Sequence, residues 1–560
     1  MGRDFSTSVL GSISIQLSHL ISYTPSSSIH QRHNKLKMAL HDLILALKNV
    51  PVWSVLLIIA PLIWYLLVHG ERKRKEKAIR LPPSPPRLPL IGHLHLMIKE
   101  PHRTLQRLAQ RMGPVIFLQL GGVPAVVVSS PEAAKEVLKT LDVHCCNRPS
   151  SPGAEMLTYN YRDIAFSPYS ERWRERRKLF ISELVGSKRV QSFSHALEEQ
   201  VEQLIQSLSC LPPSTTEPIN LNEKIFTLID GFIGTVAFGR MSGAKLLKYN
   251  MFQQVFSEAM VVLSAFSAQD FFPASPISRW VDRFLGLEAR YRAIFSELDA
   301  YFETVLSQHL SPGRVQVQSD RDNLVDVLIG LWKGQGKGQA VTKDDLKAII
   351  MDAFIGATST SSVTLLWAMS EVIKNPRVMS KVQSEIRSSV NGKLRVEVSD
   401  TPQFKYLRMV IKETLRLHPP APFLIPRETT QHVQVLGYDL PPKTRVFVNV
   451  WAIGRDPACW KNPEEFYPER FEDADIDFQG TDFELLPFGA GRRICPAIPM
   501  GLMNVGFTLA SLLHSFDWRL PEGMAPEDVS MEGTGRQIVS RSTPLYLIPS
   551  PYISGQTKLY

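Results

Sequence analysis

Apolar residues recur along most of this chain at helical spacing. Matches to the i, i+3, i+4, i+7 pattern run over Leu197–Leu208, Leu285–His309, Leu346–Lys374 and Val378–Val390, and predict four long helices. A fifth is predicted from Met500 to Leu513. Two runs rich in β-branched residues, Val115–Leu120 and Ala125–Ser129, predict strands joined by Gly-Gly-Val-Pro. The polar, glycine-rich stretch Lys333–Gln339 predicts a surface loop. No internal repeat is present. The body of the chain therefore reads as mainly α with a minor β region.

The first part of the chain breaks this pattern. Residues 1–37 are polar and serine-rich with no apolar face, the composition of a disordered extension, and Met38 offers a second start. Val52–Val68 is a run of 17 residues without charge, at the short end of the range for a spanning helix. Leu43–Val50 lengthens it at the cost of admitting Lys48. The basic cluster Arg72–Lys77 follows at once, which predicts that this flank and everything after it is cytosolic. A cleaved signal peptide is the alternative, but no small-residue cleavage site follows the run. Five prolines between Leu81 and Pro89 then exclude helix and favour stiff extended backbone, a spacer between anchor and body. The expected organisation is an extension (1–37), a membrane anchor (38–70), a basic and proline-rich linker (71–92) and a catalytic domain (93–560).

An apolar fraction of 44% across 560 residues is ample for a large core. Five cysteines show no paired framework, and no Asn-x-Ser/Thr sequon occurs, both in keeping with a body in a reducing compartment. The net charge of +9 fits an anionic membrane surface or an acidic partner. Nucleic acid is not an expected partner, because no recognised binding motif or aromatic–basic interleaving is present.

One segment carries chemistry directly. Phe488–Ala497, Phe-Gly-Ala-Gly-Arg-Arg-Ile-Cys-Pro-Ala, places Cys495 in a loop ahead of an apolar helical pattern. A helix N-terminus favours negative charge and so a thiolate. Gly489 and Gly491 let backbone approach something flat, and Arg492 and Arg493 offer forked donors to an anion. A haem supplies an iron, a flat ring and two carboxylates.

The segment resembles the haem-binding loop of cytochromes P450, Phe-x-x-Gly-x-Arg-x-Cys-x-Gly. It matches at Phe488, Gly491, Arg493 and Cys495 and departs at Ala497. The resemblance implies haem b held by Cys495, with Phe488 and Arg493 around it. Glu413 and Arg416 on one helix face, with Arg470 downstream, resemble the buried Glu–Arg–Arg network of that family. Trp173 and Arg177 resemble the helical pair that reaches a haem propionate, and Arg427 resembles another propionate contact. The other basic residues of Arg172–Lys178 would then form a docking patch for an acidic electron donor. Asp352–Ser362 resembles the oxygen-activation segment, with Gly356, Thr360 and Ser361 matching. Ala357 replaces a glycine, and Ser359 replaces the acid that delivers protons together with the alcohol. Hydroxyls mid-helix compete for backbone carbonyls, so a local opening holding water is expected here.

The resemblance covers roughly residues 80–550 and is to plant A-type microsomal enzymes. His144–Pro149, Asp230–Gly239, Ser267–Pro273 and Glu527–Glu532 resemble the aldoxime-converting branch of cyanogenic glucoside synthesis. The implied activity is a haem-thiolate monooxygenase in the endoplasmic reticulum membrane. It would use O2 and electrons from NADPH–cytochrome P450 reductase on a small apolar or aromatic substrate, with Thr360 and Ser359 as catalytic residues. Two alternatives remain open: a terpenoid or phenolic hydroxylase, and a reductase-independent dehydratase or isomerase. A chain beginning at Met38 is expected to equal the full chain in membrane yield and turnover; a large loss in either would assign a role to residues 1–37.

Overall fold

The computed structural model describes residues 79–552, apart from 213–216, 240–243, 264–266, 312–322, 335–340, 391 and 536. The expected extension, the anchor and most of the loop 333–339 lie outside the described residues.

A 32-residue helix, Lys343–Lys374, forms the centre of the fold. Its start is fixed by a reciprocal cap: Asp345 N donates to Thr342 Oγ1 at 3.3 Å, and Thr342 N donates to Asp345 Oδ2 at 2.8 Å. It stops at Asn375, ahead of Pro376. From Val363 to Ile373 every residue is buried, so this apolar helix is core. Around it pack Leu221–Phe238, Lys405–Leu417 and Ile498–Ser515, whose inward residues share one large core cluster. The sequence patterns at 197–208, 346–374, 378–390 and 500–513 correspond to helices Ser194–Ser209, Lys343–Lys374, Pro376–Ser389 and Ile498–Ser515. The expected helix Leu285–His309 begins only at Leu287, because Gly286 adopts φ +72° and separates it from the helix Pro276–Phe284.

A four-stranded sheet lies to one side. Val115–Leu120 pairs antiparallel with Val123–Val128, which runs parallel to Arg445–Val448, which in turn pairs with Arg427–Glu428. The turn is thus Gly121-Gly122 alone, and Val123 and Pro124 belong to the second strand. Pro124 is tolerated because pairing with Arg445–Val448 begins one residue later, at Ala125. The proline-rich segment docks on this sheet: Phe117 N donates to Pro83 O at 2.9 Å and His93 N to Gln119 O at 2.7 Å. The compact unit accordingly begins at Arg80 rather than after the prolines.

Glu413 is fully buried and accepts from Arg416 Nε (2.7 Å) and Nη2 (2.8 Å), from Arg470 Nε (2.9 Å) and from Tyr467 N (2.9 Å). Arg416 also donates to the carbonyls of Gly454, Pro463 and Glu465. One carboxylate therefore ties the helix Lys405–Leu417 to the meander 454–471. Removing one member of such a pair strands a buried charge. Glu413→Ala is expected to lower unfolding free energy by ~3–5 kcal/mol, whereas exposed Glu472→Ala should stay within about 0.5 kcal/mol. Denaturant titration of both variants checks this.

Candidate functional site

Cys495 sits at the end of a loop held from within and from behind. Its N–H donates to Phe488 O at 3.0 Å, and Phe488 packs edge-on against Phe478 at 5.5 Å. Gly489 and Gly491 both adopt φ +71°. At Gly491 a Cβ would lie 2.1 Å from Leu138 O and 2.8 Å from Asp142 Oδ1, so no other residue fits. Asp142 is the fastener: it accepts from Arg427 Nη1 at 2.7 Å and from Arg492 N and Nη1, both at 3.0 Å. Arg427 Nη2 reaches Ala490 O at 2.8 Å. Ala497, where the motif has glycine, adopts φ −103°, an ordinary conformation for an L-residue. Burial pushes the Cys495 thiol up; the Ala497 N–H and the Arg177 guanidinium pull it the other way.

The loop forms one wall of a deep cavity, and the central helix forms the opposite wall with Gly356, Ala357, Thr360 and Ser361. Four arginines line the cavity, Arg148, Arg177, Arg427 and Arg493, against a single carboxylate, Asp352. Burial lowers the affinity of Arg493 for its proton to a pKa of about 10, and also lowers those of Arg148 and Arg177. Desolvated cations in such excess call for an anion. A methyl group at Gly356 would meet nothing within 4 Å, so the helix leaves room for a bulky neighbour. A thiol, open space and surplus guanidinium charge fit a haem with its iron and two carboxylates.

The sequence-predicted residues are distributed unevenly around this cavity. Cys495, Phe488, Arg177, Arg427, Arg493 and Thr360 line it; Trp173 and Ser359 do not. Trp173 is buried, and its Nε1 donates to Ile164 O at 3.0 Å. Arg493 gives its donors to the carbonyls of Cys146, Ile164 and Ser167 and stacks over Trp173 at 4.0 Å. Arg177 bonds Ile494 O, beside the cysteine. The helical opening expected at 352–362 is absent: the helix is unbroken. Thr360 Oγ1 donates to Gly356 O at 2.6 Å and Thr364 Oγ1 to Thr360 O at 2.8 Å, so the hydroxyls join the backbone ladder without disrupting it.

Two buried charged residues, Arg148 in the cavity wall and Asp163 behind it, escaped sequence reasoning. Arg148 donates to the carbonyls of Ala165, Ile425 and Pro426, at 2.8, 2.7 and 2.9 Å. Asp163, fully buried, stands beside Asp352. Both residues occur in short segments without spacing signals. The only hint was a charged side chain next to apolar ones.

The sequence model of the family described as Cytochrome P450 matches residues 82–549. The chain belongs to the cytochrome P450 family. It is 50% identical over 509 residues to a 4-hydroxyphenylacetaldehyde oxime monooxygenase of Sorghum bicolor, covering 89% of this chain and 95% of that one. It is 43% identical over 505 residues to a 2-methylbutanal oxime monooxygenase of Manihot esculenta, covering 90% and 98%. Among solved structures, a zebra fish cytochrome P450 crystallised with abiraterone superposes with TM-score 0.66 at 24% identity, covering 81% of this chain and all of that one. The protein is thus a P450 monooxygenase of plant type, a haem enzyme that uses O2 and reductase-delivered electrons on a small substrate. Cys495→Ser is expected to abolish the thiolate-specific absorbance of the reduced CO complex, and Gly491→Ala to lower haem content severalfold. Survival of that absorbance in Cys495→Ser would refute the ligand assignment.

Proposed function

We propose that this P450 converts an aldoxime to a nitrile or hydroxynitrile, drawing electrons from NADPH–cytochrome P450 reductase at the endoplasmic reticulum membrane. The observation that carries this reading is the 50% identity to an oxime monooxygenase, spread over nearly the whole chain. The cavity agrees with a small apolar substrate: away from the cysteine its lining includes Phe166, Val185, Ile233, Val236, Leu263 and Ile538.

In this reading Cys495 would be the thiolate ligand of a haem, which when bound would supply oxygen activation. Arg148, Arg177 and Arg427 would hold its carboxylates, and Phe488 would pack beside the sulfur. The apolar lining excludes bulk water, so that polar groups inside act at low dielectric. Thr360 moves the proton. Its hydroxyl now donates to Gly356 O, and turning about one side-chain bond frees it to donate into the cavity. Ser359 carries a hydroxyl far weaker as an acid than a carboxyl and cannot take up and release protons near neutral pH as a carboxyl does, so water would have to refill Thr360.

Two surfaces support the expected partners. Arg172, Arg174 and Arg492 are exposed and suit an acidic electron donor. The helix Pro276–Phe284 turns Ile277, Trp280 and Phe284 outward, 68%, 68% and 78% exposed, which suits lipid. Its neighbourhood is also where the chain enters: Gly121 N donates to Ile91 O at 3.1 Å and Gly122 N to Phe271 O at 2.7 Å.

A second reading, reductase-independent dehydration, is favoured by the loss of the acid at Ser359. The two differ in their dependence on proton delivery. For reductase-driven oxygenation, Thr360→Ala is expected to lower product formed per NADPH by up to ~10²-fold and Ser359→Asp to raise it. For dehydration, neither change should matter by more than a few-fold. Feeding aldoximes derived from tyrosine, phenylalanine and valine to reductase-containing microsomes, with product and peroxide both measured, decides between them. Failure of all three, alongside terpenoid or phenolic hydroxylation, would replace the aldoxime assignment.

A further inference from the structure

One buried carboxylate joins the cavity to the protein surface. Oδ1 of Asp142 accepts from Arg427 Nη1 at 2.7 Å, and Oδ2 accepts from Arg492 N and Nη1, both at 3.0 Å. The two guanidinium groups it joins have different surroundings. The Arg427 side chain is 4% exposed and lines the cavity. The Arg492 side chain is 46% exposed and lies in a surface depression with Tyr169, Arg174, Arg177 and Lys178. Arg177 lines both, so the depression and the cavity share a wall.

Charge selects what the depression can hold. Four cations line it and no acid does. Such a surface suits the acidic side chains of a protein partner. An incoming carboxylate competes with Asp142 for Nη1 of Arg492. The backbone N–H of Arg492 can stay on Asp142 meanwhile. The cysteine loop therefore keeps its fastening while the guanidinium changes partner.

The effect that reaches the cavity is electrostatic. The Asp142 side chain is 2% exposed, so its two ion pairs are only weakly screened by water and salt. While both pairs stand, the carboxylate divides its charge between two cations. Once Nη1 of Arg492 leaves, Arg427 alone compensates it. Arg427 then has less positive charge to offer an anion in the cavity. The coupling is reciprocal: added negative charge in the cavity draws on Arg427 and favours the state in which Asp142 keeps Arg492.

We propose that Asp142 is a positioning residue that couples an acidic electron donor, captured at Arg492, to the charge of the haem site through Arg427. The proposal rests on the reading of these arginines as a donor surface and gives that surface a direction. With the donor on Arg492, a haem held by Arg427 is harder to reduce. Arrival of the electron in turn weakens the donor's hold on Arg492. One electron leaves the donor and one reaches the haem, no atom is transferred, and the charge gained is what Arg427 has to offset.

The test uses the haem-loaded full chain, with the reduced CO spectrum recorded first on every variant and oxidised NADPH–cytochrome P450 reductase as the probe. Two quantities are measured: the haem midpoint potential of the chain alone, and the affinity of the ferric chain for the reductase. Arg492→Gln mimics capture of the guanidinium. It is expected to lower the potential and to weaken reductase binding about threefold. Arg174→Gln, in the same depression but not bonded to Asp142, should weaken binding to a similar extent and leave the potential in place. In an Asp142→Asn background the potential shift caused by Arg492→Gln should shrink by about half or more, as expected for two groups that act through one contact. Arg492→Lys, which keeps the charge beside an intact Asp142, should restore most of the potential; this variant decides the matter if Asp142→Asn retains no haem. An unchanged potential in Arg492→Gln, with reductase binding weakened, would overturn the coupling alone. So would a shift of equal size with and without Asp142, which marks a direct field of Arg492, or a failure of lysine to restore the potential, which marks a disturbed loop. Reductase affinity unaltered by both Arg174→Gln and Arg492→Gln would overturn the donor reading of the depression, and the proposal with it.

Discussion

Four guanidinium groups around one buried cavity are the constraint on which the rest of this site depends. Each is expensive to desolvate, and the protein offsets only part of that cost internally. Arg427 has Asp142, Arg148 and Arg493 have backbone carbonyls, and Arg177 has the carbonyl beside the cysteine. Carbonyl dipoles satisfy the donors but not the net charge. A dianionic ligand settles both, which makes haem binding part of folding as well as of catalysis, because whatever binds only the native state stabilises it. The scaffold is arranged accordingly. Asp142 fastens the cysteine loop to the segment carrying Cys145 and Cys146, and Gly491 is the position where that contact leaves no room for a side chain.

Much of this arrangement was legible in the sequence, for a physical reason. Groups that act together at short range leave a spacing. The loop Phe488–Ala497, the pair Glu413/Arg416 and the run around Thr360 are each local, and each lies where the pattern placed it. The long helices were legible because a buried helix needs apolar residues all round, over a length no strand reaches. What escaped was non-local. Arg148 becomes a cavity residue only because the segments at 165 and 425 supply carbonyls to it. Asp163 matters only because the chain returns to the central helix beside Asp352. The proline-rich segment read as a free spacer, since composition reports stiffness and not whether a sheet edge waits to receive it.

The central helix corrects a different kind of inference. Hydroxyls at 358–362 are expected to open the backbone, yet the hydroxyls of Thr360 and Ser362 donate to the carbonyls one turn earlier on an intact helix. Such a bond bends or loosens a helix only where something competes for the carbonyl. Any polar contact that Thr360 makes with the cavity is therefore reached by side-chain rotation, with the helix left intact.

The one acid of the cavity wall, Asp352, stands in a clear relation to the acid that is missing. A carboxyl at position 359 would stand next to Thr360 and serve the reacting end. The chain has a hydroxyl there instead, and the carboxyl that lines the cavity, Asp352, lies two turns away, too far along the helix to give a proton directly to Thr360. Proton supply at the reacting end is thus left to hydroxyls and water, while Asp352 ties the central helix to the loop through Ile164 N. A substrate whose own reactive group carries exchangeable protons, as an oxime does, would relax the demand on that supply.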